Sequence, residues 1–285
     1  MNFYEEVKDK LEEIGDEELF ALFQKHLVPS AQNYYDIVMA SYKSYQSEFT
    51  PELYQVHVSK KIRDFASIKE IFEEYSKTIT TILEEGLKQF NEMFPEFKIE
   101  SPILIGHSMG CFDGAIRYLD KTKYLVFGID VISRLYQDIS AKPFIIHELF
   151  HEYHRPLYQM YKMQGSLLDA LWMEGLAVYV SELMSPGASK DEILLNNPKG
   201  MIQKVEQNIQ TLIVELENNL EELPQKIYQK YFLGPFDENR YRAGYYIGYL
   251  FAKHLGNMFS LSELVLFSGE KIYPYMKEFL KQLKK

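Results

Sequence analysis

The chain has 285 residues, of which 46% are hydrophobic and 25% are charged, a balance typical of a globular protein with a sizeable core. Its formal net charge of −10 argues against nucleic acid or an anionic membrane surface as a partner, because both require concentrated Lys and Arg. No apolar run approaches the roughly 18 to 20 residues of a membrane span. With one cysteine and no secretory signal visible, we expect a soluble, cytoplasmic protein.

Helical periodicity dominates the first part of the chain. It is clearest in the segment that ends at Pro95, where apolar residues recur at helical spacing and acidic residues cover the other face. The members of this apolar stripe are Ile68, Ile71, Phe72, Tyr75, Ile79, Ile82, Leu83 and Phe90. The pattern predicts a helical N-terminal region over residues 1–95.

The character of the sequence changes near Phe97. The runs FKIESPILIG and KYLVFGIDVI are short, apolar and rich in β-branched residues, which predicts two or more strands in a hairpin or a small sheet. Helical patterns resume at PFIIHELFHEYHR and continue through YRAGYYIGYLFAKHL. We therefore predict a mainly helical α+β fold, with a catalytic domain over residues 96–285.

The segment HELFH at 147–151 carries the sharpest chemical signal. Its two histidines are four residues apart on a predicted helix, which puts both imidazoles within reach of a single ion. Glu148 lies beside the first histidine, where its carboxylate can take a proton from an attacking water without being a ligand. The surrounding PFIIHELF is apolar, and a metal would compensate the burial of these polar groups. The spacing predicts zinc bound by His147 and His151, with Glu148 as general base.

A catalytic zinc needs a third protein ligand. The segment WMEGLAVYVSEL offers Glu174, 23 residues after His151, on an otherwise apolar helix face. The alternative interpretation is a partly exposed acid at a helix edge. Gly175 leaves room for a neighbouring helix to approach closely. We expect one zinc ion per chain, held by His147, His151 and Glu174.

His154 follows the two predicted ligands at helical spacing. On a continuous helix, however, it rises about 10 Å above His147, which is too far for one tetrahedral ion. The turn glycine that returns a third histidine to the metal in metzincins is absent as well. His154 is therefore predicted to cap or line the site.

These motifs resemble those of the gluzincins, the zincin metallopeptidases in which glutamate is the third metal ligand. The segments that carry the resemblance are YLVFGID, HELFHEYHR, WMEGLAVYVSE and RAGYYIGYLFAKHL. More narrowly, the chain is similar to a bacterial family of zinc-dependent proteases first catalogued as a domain of unknown function. The resemblance implies a zincin-like domain with an active-site helix, and hydrolysis of peptide bonds in a peptide or protein substrate.

The resemblance also implies how substrate and oxyanion are held. In gluzincins a Tyr or His after the third ligand donates to the oxyanion, which implies Tyr245, with Tyr246 as the close alternative. An edge strand near the active helix binds extended peptide in this fold, which implies residues 124–131, where Gly128 would admit a peptide backbone. The alternative for this run is a central strand with both neighbours in place.

The partner that orients the histidines is less defined. Val178 stands where thermolysin-like members carry an Asp, four residues after the third ligand. Asp130, Asp169 and Glu182 are the candidates for this role.

Two other functions compete with the peptidase prediction. GHSMG at 106–110 matches the nucleophile elbow of a serine esterase or lipase, with Ser108 as nucleophile. An elbow requires a strand, a sharp turn and a helix in a large sheet, and too few strands are predicted, so a glycine-rich bend is favoured. The other alternative is a non-catalytic zinc-binding helical protein. A structural zinc usually has four protein ligands, whereas this chain offers three and an intact Glu148, which favours a hydrolase.

Overall fold

The computed structural model describes residues 2–46, 48–163, 165–194, 200–233 and 242–284, and for residues 2, 45 and 163 only the backbone. The chain divides into two compact units. We call Met1–Glu85 with Lys98–Ile139 the sheet unit, and Gly86–Phe97 with Ser140–Lys285 the helix unit. The predicted boundary between residues 95 and 96 does not coincide with this division, because the strands pack with the N-terminal helices. That the chain has two domains with a boundary between residues 95 and 96 stays a prediction.

The sheet unit contains most of the predicted N-terminal helices. They are α1 (Asn2–Val7), α2 (Asp16–His26), α3 (Gln32–Tyr45), α4 (Pro51–Asp64) and α5 (Lys69–Met93), which continues into the helix unit. The unit also contains α6 (Ile129–Leu135), whose first residues were predicted to continue a strand. The start of α4 shows why these helices form where they do, since Thr50 caps the Leu53 N–H and Pro51 occupies the first turn. The apolar stripe of α5 is buried at Ile79 and Leu83, as its periodicity predicts.

Three strands form one mixed sheet in the order β1-β3-β2. They are β1 (Ile103–Gly106), β2 (Gly114–Leu119) and β3 (Thr122–Gly128). The two predicted strands are β1 and β3, whereas β2 lies in the stretch between them, for which no strand was predicted. β2 and β3 make a hairpin around Asp120, whose φ of 53° is the left-handed conformation typical of a tight turn. β1 runs parallel to β3 on its other side, with Leu104 opposite Val126.

The edge-strand prediction for residues 124–131 is wrong. β3 is the central strand and pairs with β1 over residues 125–128 and with β2 over residues 122–127, so the strand is not an edge that could add a peptide. Residues 129–131 belong to α6. Gly128 serves an intramolecular contact, because a Cβ there would lie 2.1 Å from the Phe112 carbonyl oxygen and 2.6 Å from the Ser108 hydroxyl.

The described part of the helix unit is helical. Its helices are α7 (Lys142–His154), α8 (Leu167–Met184), α9 (Lys190–Ile193), α10 (Met201–Gln207), α11 (Ile209–Asn219), α12 (Gln225–Phe232), α13 (Ala243–Gly256), α14 (Leu261–Val265) and α15 (Gly269–Leu283). The mainly helical α+β fold is thereby confirmed. No helix among the described residues has the length and apolar character needed to cross a membrane.

Helix α7 lies in the core of the helix unit. The last turns of α5 cover one side, where Gly86 would place a Cβ 3.1 Å from Ile145. On another side Ser181 of α8 donates its hydroxyl to the Pro143 carbonyl at 2.9 Å. Aromatic rings fill the space around the end of α7, with Phe94 and Tyr153 at 4.6 Å between centroids. A helix packed this way offers little freedom to the side chains that it carries.

Candidate metal centre

The HELFH segment lies within α7 and is almost wholly buried. His147 is 1% exposed, His151 5% and Glu148 7%. Pro143 in the first turn suits the helix start, since its missing N–H would have had no intrahelical acceptor. Because the neighbouring residues are apolar, the polar groups of these three residues must find their partners among one another and on nearby helices.

Three side-chain donor atoms from two helices meet at one point. His147 Nε2 and His151 Nε2 lie 2.9 Å apart, and each lies 3.2 Å from Glu174 Oε2. The edges of a tetrahedron around zinc, with bonds of about 2.0 to 2.1 Å, are about 3.3 Å long. These three residues are the only group of His, Cys, Asp or Glu in the described part of the chain that could hold a metal ion. The donor set therefore fits zinc in kind and in spacing.

The electrostatics of the three groups are coupled. Burial would raise the pKa of Glu174, but the two histidines outweigh it and hold the pKa well below its usual range. Burial by itself would lower the pKa of His151. The nearby Glu174 carboxylate has the opposite effect, and the pKa of His151 is raised as a result. Glu174 is thus an anion at neutral pH, the form in which a carboxylate binds a metal.

Helix α8 carries Glu174 and crosses α13 at close range. A Cβ at Gly175 would lie 2.1 Å from the Gly248 carbonyl carbon, and a Cβ at Gly248 would lie 2.2 Å from the Leu171 carbonyl oxygen. Two glycines thus allow α8 and α13 to touch through their backbones, as predicted for Gly175. Gly248 escaped the sequence prediction, although its spacing of four from Gly244 on one helix was a usable signal.

The same crossing brings Tyr245 close to the predicted metal ligands. Tyr245 lies one turn before Gly248, and its ring centroid is 6.2 Å from that of His147. Burial raises the pKa of Tyr245 well above its ordinary value, and the Glu174 carboxylate adds to this effect. The hydroxyl therefore keeps its proton. The Arg242 guanidinium lies over the same ring, 4.6 Å from the centroid.

Tyr246 is directed elsewhere. Its hydroxyl donates to Glu206 Oε1 at 2.8 Å, so this tyrosine joins α13 to α10. Of the two tyrosines left open by the sequence, Tyr245 is the one beside a predicted ligand.

His154 does not join the ligand cluster. Its ring stacks on Phe150 at 5.0 Å and is fully buried. Burial, and after it the neighbouring His151, lower the pKa of His154 to about 3. His154 is thus a neutral core histidine that packs one turn beyond the site.

The three candidates for orienting the histidines have other partners. Asp130 accepts main-chain N–H groups of the GHSMG turn. Asp169 caps α8 through Ser166, and Glu182 binds Lys253. Within the described residues none of the three bonds to His147 or His151, so the geometry supports none of them in that role.

The elbow interpretation of GHSMG lacks the required geometry. The chain after β1 turns at Met109 and Gly110, both with positive φ, and leads into β2 without a helix. Ser108 is completely buried, and its hydroxyl has no hydrogen-bond partner among the described residues. A nucleophile must meet its substrate, so the bend interpretation accounts for this segment better.

Comparison with known protein families identifies one match. A family model described as "putative zinc dependent peptidase (DUF5700)" matches residues 17–275. The match spans both compact units and most of the chain. No curated protein and no solved structure shows significant similarity to this chain. The chain belongs to the matched family, in agreement with the resemblance of its motifs.

Proposed function

We propose that this member of the family is a hydrolase that cleaves peptide bonds with one zinc ion bound by His147, His151 and Glu174. The observation that carries the proposal is the convergence of two buried ring nitrogens and one carboxylate oxygen at 2.9 to 3.2 Å. A zinc ion held by these three residues would have one position left for water or substrate, as in catalytic rather than structural sites. The substrate class is a peptide or protein.

Zinc in such a site lowers the pKa of a bound water and polarises a carbonyl oxygen. Glu148 precedes His151 by three residues on α7, and its charge acts on that histidine. We assign it the general-base role. Its carboxylate takes a proton from the attacking water, and the same oxygen then delivers the proton to the leaving amine nitrogen.

Tyr245 is the donor that we assign to the developing oxyanion. Its hydroxyl stays protonated because burial and the Glu174 charge both disfavour the phenolate. The ring makes an edge contact with Phe232, at 5.7 Å between centroids, and carries the Arg242 guanidinium over its face. A donor held in place before the reaction needs no rearrangement when negative charge appears on the carbonyl oxygen.

Metal analysis combined with an activity assay tests this function. The purified full chain is expected to contain one zinc ion by mass spectrometry and to hydrolyse a casein or peptide pool. Chelation should abolish hydrolysis, and added zinc should restore it. A zinc-free native protein that still cleaves peptides would overturn the proposal, and a zinc-loaded chain without hydrolysis would favour a non-catalytic zinc protein.

Histidine variants show whether the metal occupies the proposed site. His151→Ala removes one of three ligands and should weaken zinc binding by at least about 100-fold, since each ligand carries a large share of the binding free energy. His26→Ala is the matched control, because His26 is a surface histidine with 37% of its side chain exposed. Equal zinc contents in the two variants would place the metal elsewhere.

A further inference from the structure

The sheet unit contains a cavity that the proposed peptidase chemistry does not use. Its volume is about 550 Å³, within the range of ligand-binding pockets, about 300 to 1,000 Å³. Every lining residue belongs to the sheet unit, whereas the proposed zinc ligands belong to the helix unit. The wall is mainly aromatic and aliphatic and includes Phe3, Tyr4, Ile62, Phe65 and Phe72.

His107 of the GHSMG turn supplies one polar group to this wall. Its Nδ1 accepts the Met109 N–H at 3.1 Å, so the proton of the neutral ring is assigned to Nε2. Nε2 has no hydrogen-bond partner among the described residues. The rings of Phe65 and Phe72 both contact the imidazole on one side, at 5.5 and 5.6 Å between centroids, and contact each other at 5.1 Å. Burial lowers the pKa of His107, which favours the neutral ring.

Tyr35 supplies the second polar group. Edge contacts with Phe23 at 5.0 Å and Tyr34 at 5.6 Å hold its ring. Its hydroxyl makes no hydrogen bond within the described part of the chain, and the residue as a whole is 8% exposed. Burial raises the pKa of Tyr35 to about 12, so the hydroxyl is a donor at neutral pH. Because no protein group takes this hydrogen bond, the hydroxyl is available to an oxygen of a ligand in the cavity.

The charges of the wall favour a ligand without net charge. Lys69 is paired with Glu5, and the other two charged residues of the wall, Glu73 and Lys77, have opposite signs. The buried carboxylate of Asp130 lies 3.6 Å from the His107 ring. An anion in the cavity would meet that carboxylate without a surplus cation, and a cation would leave its own charge poorly solvated.

We infer that this cavity is a binding site for an uncharged, apolar molecule with a carbonyl or similar oxygen, which accepts hydrogen bonds from His107 Nε2–H and the Tyr35 hydroxyl. The apolar wall supplies the affinity through burial, and the two donors select and orient the oxygen. The site is independent of the zinc centre, so the inference does not rest on the proposed peptidase function.

Two fluorescent probes distinguish the contribution of the apolar wall to binding from that of the two hydrogen-bond donors. Nile red is uncharged and has a carbonyl oxygen, whereas pyrene is uncharged and has no hydrogen-bonding atom. Titration of the full chain should show saturable binding of both. Tyr35→Phe and His107→Phe should each weaken Nile red binding about five-fold, the loss of one hydrogen bond, and leave pyrene binding unchanged.

Control variants make the result specific to this cavity. Ser76 lines the cavity and is exposed, so Ser76→Trp should obstruct it and weaken both probes at least ten-fold without loss of folding. Tyr118→Phe removes a hydroxyl from the same unit at a residue that is 60% exposed, and should change neither affinity. Tyr35→Phe removes a single oxygen, so the test stands even if His107→Phe disturbs the turn. Unchanged Nile red binding in Tyr35→Phe, or unchanged binding of both probes in Ser76→Trp, would overturn the inference.

Discussion

Two histidine motifs in this molecule differ in how the carboxylate beside each of them is bonded. In the GHSMG turn of the sheet unit, Asp130 accepts the main-chain N–H groups of Ser108 and Gly110 at 2.6 and 2.7 Å. In HELFH of the helix unit, two imidazole Nε2 atoms lie 2.9 Å apart and share the Glu174 carboxylate. The first carboxylate is satisfied by backbone donors, and the second by side chains that are themselves metal-binding groups.

The difference suggests a way to distinguish a structural acid from a candidate metal ligand. Main-chain N–H groups already carry protons and satisfy Asp130 without any further group. Two ring nitrogens that point at each other across 2.9 Å can hold one proton between them or share one cation. Convergence of ring nitrogens, rather than burial or proximity to an acid, is therefore the feature that indicates a metal here. The following predictions test that contrast.

The largest effect is expected from Glu148→Gln. Loss of the general base should lower the rate of peptide hydrolysis by about 10²- to 10⁴-fold, while the zinc ligands stay intact. Turnover and bound zinc are measured on the same preparation. Retained turnover with retained zinc would assign the base to another residue.

Tyr245→Phe is expected to have the next largest effect. Removing one oxyanion donor should lower kcat by about 10²- to 10³-fold with little change in KM, because the hydroxyl acts mainly on the transition state. Tyr246→Phe is the matched control, since its hydroxyl bonds to Glu206. If the two variants have equal kcat, Tyr245 has no special role.

Asp130→Asn should affect stability without affecting zinc. The variant keeps one acceptor oxygen but turns an amide N–H₂ toward a backbone donor, which should cost about 1.5 to 3 kcal/mol. The free energy of unfolding and the zinc affinity are measured together. A fall in zinc affinity would mean that this acid contributes to the metal centre and would remove the contrast drawn above.

Gly248→Ala tests the crossing that positions Glu174 and Tyr245. The added methyl group would lie 2.2 Å from the Leu171 carbonyl oxygen, so the helices must separate at a cost of about 1 to 3 kcal/mol. Thermal unfolding measures the loss, with Gly15→Ala as control because a Cβ at Gly15 meets nothing within 4 Å. Hydrolysis should fall along with stability, and equal melting temperatures for the two variants would contradict the close crossing.

The smallest effect is expected from Ser108→Ala. Its hydroxyl is buried without a partner among the described residues, so its removal should change the free energy of unfolding by less than about 1 kcal/mol. Peptide hydrolysis should be unchanged. Loss of activity with the fold intact would revive the serine hydrolase interpretation.

Local spacing made much of the candidate site predictable. Histidines four apart on a helix lie on one face whatever the helix packs against, so His147, His151 and the adjacent Glu148 could be named from the sequence. Helical periodicity likewise predicted α5 and the mainly helical class, because amphipathic spacing follows from 3.6 residues per turn.

Long-range packing limited the other predictions. A central and an edge strand can have the same composition, and KYLVFGIDVI did not reveal that β1 and β2 both pair with β3. For the same reason the prediction treated Gly128 as an opening for substrate, although its neighbour is Phe112. The cavity beside His107 joins α1, α4, α5 and a turn far along the chain, and no local pattern predicts such a wall.

What the sequence determined by itself is the chemistry of the ligands, since the residue types and their helical spacing require no knowledge of the neighbours. Only the tertiary structure decided which distant groups meet them. It placed Tyr245 rather than Tyr246 beside His147, because α8 and α13 cross at Gly175 and Gly248. That choice depends on backbone contact between two helices more than 70 positions apart in the chain, a distance over which sequence periodicity carries no information.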